Sequence, residues 1–591
     1  MPGDWAQLKQ RRAAKDRTAP TPASPRPLEQ LDTWISNALP PTLAVEQIRG
    51  RGRGLVAPAG AKAGTTLLAT APLVSVLDAR NLPHRCSHCF RSVDDFHDSQ
   101  YPTPPKLLLQ CSLCHTLQYC SSACQTADWP IHKKECVALR AAIKRRRESG
   151  SKHLLPDAPL RALARLLWSA QLAGNDLWQQ VESLESHRSN LTAEEQERLF
   201  QLSVSLSAYV GQDTLAQSCP DGAAVIDLCS RFVSNSFALT CPTDLSNIGV
   251  SISPLTALIN HSCVPNAVVV FPSFPKSAAP SSAPSPSPSK NMAVVALRDL
   301  ERGEEVVTSY VDLSLPREER QKELQERYKF VCHCEGCSDS AGVDPREAML
   351  CPAAAKSSCE GLIAIPASGS KLETVTCPRC GTSAPYRDVH PAIEAAKKAY
   401  TDAEKAQYTD PRLAALQLSN LTSALTTSLT PTPALAPSAY PLYSALQLLL
   451  TIQLHAHQFE AALATSSVAL RGARALFPSG HPVLALLMTT HARLLTTPPA
   501  SDPAHPEQEM QYWMATDRRV ADVQALVAAL KQVEVAFGDG SQGEGVRSGM
   551  KGGEMAAMLR TLIRDQEEGI EMGRRMRASM AAQQQQQQQR A

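Results

Sequence analysis

The 591-residue chain has no run of 18 or more apolar residues, no apolar leader behind its charged, proline-rich N-terminus, and no marked excess of charge of either sign. The first absence argues against a membrane-spanning helix, which needs roughly 20 consecutive apolar residues. The second argues against a secretory signal. The third, 59 Lys and Arg against 57 Asp and Glu for a net charge of +2, provides no global field for nucleic acid or an anionic membrane, so any such partner must bind at a local patch. The expectation is a monomeric protein of the cytoplasm, the nucleus or both, with no membrane partner. Because single cores stop growing near roughly 250–300 residues, a chain of this length should divide into three or four units.

Cysteine is what the chain does have: 18 residues. Without a secretory signal these argue for metal before disulfide, since reducing compartments disfavour stable disulfides. Only Cys219, Cys229 and Cys241 fall outside three clusters with ligand-like spacing, and they read as core or incidental thiols.

Between the clusters the pattern changes several times. Residues 1–40 are rich in Pro, Arg and Ala with little apolar periodicity and read as a disordered arm. Apolar runs at Leu67–Leu68 and at Leu73, Val74 and Val76 indicate short strands in 45–85, ahead of the first cluster at 86–136. Residues 137–230 read as helical. Strand signals return at Val268–Phe271 and Met292–Leu297 within 231–313, and the Ser-, Pro- and Ala-rich stretch 272–290 between them reads as a disordered hairpin loop. The second cluster occupies 314–340 and the third 350–382. From 390 to 535 the spacing of Leu418, Leu421 and Leu425, and of Leu442, Leu446 and Leu449, predicts an array of helices. Residues 538–591, with a glycine-rich linker, a charged helical stretch and the run Gln583–Gln589, read as a low-complexity tail.

The first cluster supplies eight ligands in four close pairs, which suits two tetrahedral zinc ions. Pairing alternate couples gives one site from Cys86, Cys89, Cys120 and Cys124 and another from Cys111, Cys114, His132 and Cys136. Such interleaving would let metal binding contribute much of the folding free energy of a segment with hardly any core. In the second cluster Cys332, Cys334 and Cys337 are one thiolate short of an all-cysteine site, and Cys263 supplies the fourth. That closure folds Tyr328 and Phe330 back towards the stretch Asn260-His261-Ser262-Cys263. The third cluster, Cys351, Cys359, Cys377 and Cys380, could hold a further zinc ion as a ribbon, or be unpaired cysteines in a loop; with four protein ligands it would have no open position for catalysis.

The finger spacing, with Tyr119 before Cys120 and Trp129-Pro130 before His132, resembles the MYND zinc finger. Gly52-Arg53-Gly54-Leu55, Asn235-Ser236-Phe237, Asn260-His261-Ser262-Cys263 with Pro265-Asn266, and Gly303-Glu304-Glu305 leading to Ser309-Tyr310 resemble a SET methyltransferase domain interrupted by that finger. The combination is similar to the SMYD family, closely over about residues 45–340 and more loosely to about 495, where Phe477-Pro478-Ser479-Gly480-His481-Pro482 resembles a turn of the family's C-terminal helical domain. The resemblance implies an α+β multidomain fold: a β-rich SET unit split by MYND, a zinc-stabilised post-SET segment and an α-helical, TPR-like C-terminal domain. It also implies S-adenosylmethionine as cofactor, held by Arg51, Gly52, Arg53, His187, Asn235, Asn260, His261, Tyr310, Tyr328 and Phe330. Tyr310 would be the catalytic residue and Phe237 would line the lysine channel. A glycine at 52 would let backbone approach the cofactor.

Two functions follow. The first is a protein-lysine N-methyltransferase acting on histone or non-histone lysines; the second is a non-catalytic adaptor in transcriptional regulation, binding through the finger and the helical domain. Retention of Asn260, His261 and Tyr310 favours the first, although Val264 stands where the family commonly has Asp or Glu. The finger could bind a proline-rich peptide or DNA. The run Lys144-Arg145-Arg146-Arg147 could be a nuclear import signal, a nucleic-acid patch or a solvated helix face, and the last is favoured.

Overall fold

The computed structural model describes residues 33–92, 108–272, 292–338, 342–354, 359–427, 432–498, 511–539 and 551–590. Three small sheets form the β-rich unit. Strands β1 (Ala44–Ile48) and β2 (Gly52–Ala57) form a hairpin, and β3 (Thr66–Thr70) and β4 (Val74–Leu77) lead into the finger, whose own hairpin is β5 (Leu109–Gln110) with β6 (Gln118–Tyr119). After a helical stretch come β7 (Ser236–Thr240), β8 (Asn247–Ile252), β9 (Asn260–His261), β10 (Ala267–Val270), β11 (Met292–Ala296) and β12 (Glu304–Thr308). The sheet orders are β1-β2-β12-β9, β10-β11-β3 and β4-β8-β7, so strands from before and after the finger share every sheet. The unit can therefore complete its core only once both halves are present. Leu55, Leu67, Leu68, Val294 and Val306, all essentially buried, come from both halves of that core.

Helix Ser122–Glu148 carries the last three finger ligands and continues well past them, so the boundary expected at residue 136 falls inside one 27-residue helix. Ser121 caps it, accepting a hydrogen bond from the Cys124 amide at 3.2 Å. A buried charge network joins this helix to the next, Ala158–Ala173. Glu135 accepts from Arg161 Nε at 2.9 Å and from Arg165 Nε at 2.8 Å, and Arg165 also holds Asp128 through two bonds of 2.8 and 2.9 Å. Arg161 reaches the Leu77 carbonyl on β4 at 3.0 Å, and Tyr119 donates to Asp128 at 2.9 Å. Burial pushes the Glu135 carboxyl up, but Arg165 and Arg161 outweigh it and hold the pKa well below the ordinary carboxylate range. Two guanidinium groups facing two carboxylates thus fasten finger, helix and strand.

Helices His390–Ala406, Pro411–Thr427, Leu442–His455, Phe459–Leu476, Pro482–Thr496 and Thr516–Ala536 follow, and consecutive helices mostly pack against one another. Among the described residues no helix is long and apolar enough to cross a membrane.

Two expectations need correcting. The arm expected over residues 1–40 includes helix Thr33–Ala38, whose Ile35 is buried beneath the β-rich unit; residues 1–32 lie outside the description. The tail expected over 538–591 includes helix Gly553–Arg590, whose Met555, Ala556 and Leu559 are buried against Ala529 and Val533. Asp539 also accepts a bond from the Thr66 amide on β3 at 3.2 Å. Composition marked this end as low-complexity, but its first turns carry an apolar face that the preceding helix covers. The loop expected over 272–290 lies almost wholly outside the described residues. Cys219, Cys229 and Cys241 are buried as expected of core thiols.

Replacing Arg165 with Leu leaves Asp128 and Glu135 buried without their shared partner. It should lower the unfolding free energy of the zinc-loaded protein by about 3–5 kcal/mol, measured by urea unfolding, whereas Arg198→Leu, at an exposed surface pair, should change it by less than about 1 kcal/mol.

Candidate active site

Strand β9 lies parallel to β12, pairing Asn260 with Val307 and His261 with Thr308. The chain then turns: the Ser262 amide donates to Thr308 O at 2.9 Å and the Asn266 amide to Val307 O at 3.2 Å. Buried Asn266 completes the turn, its Oδ1 accepting from the Val307 amide at 2.8 Å while its Nδ2 donates to Glu304 and to the Glu305 carbonyl at 2.9 and 2.8 Å. These bonds bring Tyr310, just beyond β12, beside His261.

His261 is 5 % exposed, and burial first of all drops its pKa to about 4, with Arg320 and Arg51 also lowering it and Cys334 opposing. The ring is therefore neutral at physiological pH. Its Nδ1 accepts the Tyr310 backbone N–H at 3.0 Å, which puts the ring hydrogen on Nε2, 3.3 Å from Cys263 Sγ. One imidazole thus spans the distance between a thiolate cluster and Tyr310. The Tyr310 ring lies 5.3 Å from His261, 4.8 Å from Tyr328 and 6.4 Å from Phe330, centroid to centroid, and its hydroxyl donates to Ile259 O at 2.5 Å.

Asn260 spends both amide hydrogens, on Arg53 O at 3.2 Å and Glu305 Oε1 at 2.9 Å. Glu305 Oε2 meets Arg51 at 2.7 Å. Arg53 in turn reaches Ser183 O at 2.8 Å, and Asn235 holds Glu185 O at 2.8 Å and Arg231 O at 2.7 Å. Residues from β2, β9, β12 and the helical insert are joined in one continuous run of contacts. His187 stands beside it, its pKa lowered first by burial and then by Lys329, against Glu185. The close approach on β2 occurs at Gly54: a Cβ there would lie 2.6 Å from Ile48 and 2.8 Å from Asn260 Nδ2. Gly52, expected to let backbone approach a cofactor, has φ +74° and open space around it.

The thiolates Cys263, Cys332, Cys334 and Cys337 converge, as do both finger sets in the interleaved pairing and the set Cys351, Cys359, Cys377 and Cys380; within each, the ligand atoms all lie within 4.8 Å of one another. Tetrahedral zinc with bonds of about 2.3 Å separates its sulfurs by about 3.8 Å, and Cys263 and Cys337 stand 3.6 Å apart. Burial works against the charge of fully buried Arg320, but Cys263, Asp344 and Cys337 outweigh it and raise its pKa, so the guanidinium would offset the charge of four thiolates were a divalent ion bound there. In the finger, His132 Nε2 is 3.7 Å from Cys114 Sγ while its Nδ1 faces Glu135 at 3.6 Å, the orientation a carboxylate gives a metal-bound imidazole.

A cavity of about 330 Å³ opens beside Tyr310 and is lined by Asn235, Phe237, Ile259, Tyr310 and Tyr328 among others. Of the expected site residues, Asn235, Phe237, Tyr310 and Tyr328 reach its wall; Arg51, Gly52, Arg53, His187, Asn260, His261 and Phe330 do not. Phe330 packs on His261 at 5.9 Å. Glu305, Gly54, Asn266, Arg320 and the Ile259 carbonyl had not been singled out for these roles; Gly54, Glu305 and Asn266 stood inside the quoted motifs, but nothing in the order of residues announces what they meet. The basic run is partly committed to the fold, since Arg145 donates to Ala208 O and Arg146 to His153 O and Leu155 O. Crowding at Gly54 predicts that Gly54→Ala lowers stability by about 1–3 kcal/mol, read as a drop in thermal midpoint of the zinc-loaded protein.

Residues 86–136 match the model of the MYND finger family. Over 291 residues the chain is 28 % identical to the histone-lysine N-methyltransferase SMYD3 of Mus musculus, covering 49 % of this chain and 59 % of that protein. It is 29 % identical over 310 residues to the N-lysine methyltransferase SMYD2 of Gallus gallus, covering 51 % of this chain and 62 % of that one. It is 28 % identical over 306 residues to the histone-lysine N-methyltransferase ASHR1 of Arabidopsis thaliana, covering 50 % and 55 %. The matched stretch thus spans somewhat over half the length of these relatives. A finger of the MYND family set between two halves of one β-rich unit, a Cys263 cluster that closes onto Tyr310 and these relatives together make the chain similar to the SMYD methyltransferases over about half of its length.

Proposed function

We propose that the protein is an S-adenosylmethionine-dependent protein-lysine N-methyltransferase acting on lysines of histone or non-histone proteins. The observation that carries this reading is the Tyr310 phenol at the cavity wall, its hydrogen already donated to Ile259 O at 2.5 Å. An oxygen whose hydrogen is spent elsewhere offers only lone pairs to the cavity, so it can accept an N–H from an amine and aim that amine's own lone pair. Burial above all, with Tyr328 and Glu305, raises the Tyr310 pKa, which keeps the phenol neutral and rules it out as a base. The lysine proton, with a free pKa of about 10.4, therefore has to leave to water. Phe237, Ile259, Val269 and Tyr328 assist by removing solvent from the side chain, which disfavours its charged form.

Bound S-adenosylmethionine supplies a methyl group on a positive sulfonium, transferred in line to the amine nitrogen. The residues present suit such a molecule, which needs mixed polar and aromatic contacts: the amide oxygen of Asn260, Asn235, neutral His187, and the rings of Tyr328 and Phe330. Arg51, Gly52, Arg53 and His261 complete the proposed set, Arg51 and His261 acting through the partners they hold in place. Phe237, at the cavity wall, would limit how many methyl groups the amine can carry. Zinc at the thiolate clusters is structural in this reading, and cytoplasm or nucleus are the compartments in which such thiolates stay reduced. The finger would add a contact for a proline-rich peptide.

The test is a methyl-transfer assay on cell extract with radiolabelled cofactor, run beside calorimetry. Tyr310→Phe should cut transfer by about 10²-fold and leave cofactor affinity within about threefold. A well-folded, zinc-replete wild type that binds no S-adenosylmethionine would overturn the reading and favour the adaptor.

A further inference from the structure

The cluster Cys351, Cys359, Cys377 and Cys380 lies outside the finger and away from Tyr310, and the methyl-transfer chemistry does not use it. Its thiols lie between the paired strands of two small hairpins, β13 (Ala348–Leu350) with β14 (Leu362–Ala364) and β15 (Thr374–Thr376) with β16 (Ser383–Pro385). Cys351 and Cys380 Sγ stand 3.4 Å apart and Cys359 and Cys377 Sγ 4.0 Å apart, bracketing the roughly 3.8 Å that tetrahedral zinc imposes.

The local backbone carries a second, independent signal. At Cys377 the Gly381 amide donates back to the Cys377 carbonyl at 2.9 Å, the Cys377 amide donates to Thr382 O at 2.9 Å, and Gly381 has φ +73°. At Cys86, inside the stretch that matches the MYND finger, Phe90 donates to Cys86 O at 2.9 Å, Cys86 donates to Arg91 O at 2.9 Å, and Phe90 has φ +64°. The two Cys-x2-Cys turns therefore make the same pair of bonds around the same left-handed residue, a shape that points both sulfurs to one side. The Ala353 amide donates to Cys351 Sγ at 3.3 Å, as a thiolate ligand needs. Gly361 clears the space: a Cβ there would lie 2.4 Å from Cys377 Sγ and 3.3 Å from Cys359 Sγ.

The same segment is what the loop between helices Pro411–Thr427 and Leu442–His455 is bonded to. Leu350 N donates to Ala434 O, Ala436 N to Ala348 O and Tyr440 N to Arg346 O, each at 2.9 Å, and Ser438 Oγ donates to Pro345 O at 2.7 Å. In the other direction Arg346 Nε donates to Leu313 O at 2.5 Å, three residues past Tyr310. Strand β13 ends at the residue before Cys351, so a metal on Cys351 fixes the strand that joins these two regions.

We propose that Cys351, Cys359, Cys377 and Cys380 bind a fourth, structural zinc ion, and that this ion fastens the loop 432–440, between helices Pro411–Thr427 and Leu442–His455, to the segment following the Tyr310 strand. Four thiolates leave no coordination position open, so the ion does no chemistry on substrate. Full-length protein should contain four zinc ions per chain by elemental analysis and native mass spectrometry, and the double variant Cys377→Ser/Cys380→Ser should contain three. In that variant, hydrogen exchange should lose at least tenfold protection at the Leu350, Ala436 and Tyr440 amides while the Ser262 and Asn266 amides keep theirs. Three zinc ions in the wild type overturn the site, and this count stands even if the double variant fails to fold. Loss of one ion with unchanged protection overturns the fastening. Gly361→Val, which keeps all four thiols, should also drop to three ions; retention of four overturns the tight cradle.

Discussion

Everything at the centre of this protein hangs on one neutral imidazole. His261 accepts from the Tyr310 amide with Nδ1 and faces the Cys263 thiol with Nε2, so its tautomer is fixed from both sides. An ordinary exposed histidine, with a pKa near 6.5, would be charged part of the time and would then lose its acceptor. Burial prevents this and makes the relay permanent. The consequence is mechanical coupling: whatever positions Cys263 positions Tyr310, and Cys263 is positioned by Cys332, Cys334 and Cys337, which stand some seventy residues later in the chain. The same closure brings Tyr328 onto the Tyr310 ring. Thiol cluster and aromatic pocket are two ends of one short path.

The finger repeats this principle with different chemistry. A metal can hold loops to one another, but it cannot by itself orient a finger against the unit it interrupts. That task falls to Asp128, Glu135, Arg161 and Arg165, all nearly excluded from solvent. Glu135 has a double duty, since it faces metal-ligating His132 while pairing with two arginines. A buried ion pair is a poor source of net stability compared with apolar packing, yet removing one member is costly. The network therefore acts mainly on geometry: it tolerates one docking of the finger helix and penalises others.

What the sequence revealed and concealed follows from the range of each interaction. Candidate zinc ligands mostly come as Cys-x2-Cys and similar short pairs because one turn must present two sulfurs, so the four converging groups could be read, and even the interleaving of the finger. The hairpin of β10 and β11 was legible because apolar runs flank a Ser- and Pro-rich stretch. Long-range polar pairing was not. Arg161 and Arg165 sit four apart on a helix, where charged residues ordinarily face water, and only the fold turns that face inward. Glu305 and the Ile259 carbonyl are invisible for the same reason, their partners being Arg51 and Asn260 in one case and Tyr310 in the other. The helices Thr33–Ala38 and Gly553–Arg590 were missed because composition was read over whole segments, where a few apolar residues such as Ile35, Met555 and Leu559 carry the packing.

The adjacent residues Glu304 and Glu305 complete the account of why Asn260 to Asn266 is so informative a stretch. Successive side chains of a strand point to opposite faces, and here each face is held by a different asparagine of that stretch. Glu304 takes Asn266 and Arg298; Glu305 takes Asn260 and Arg51. Shifting β12 by one residue would exchange the two carboxylates and leave both asparagines facing the wrong side. The register of β12 is thus fixed by polar contacts on both faces as well as by backbone pairing to β2 and β9. Tyr310 lies two residues beyond the last residue of that strand, so its phenol inherits a position set before any ligand arrives. Preorganisation of this kind is what the proposed in-line transfer to a lone amine would demand, because the reacting atoms must be aligned without further cost at the moment of reaction.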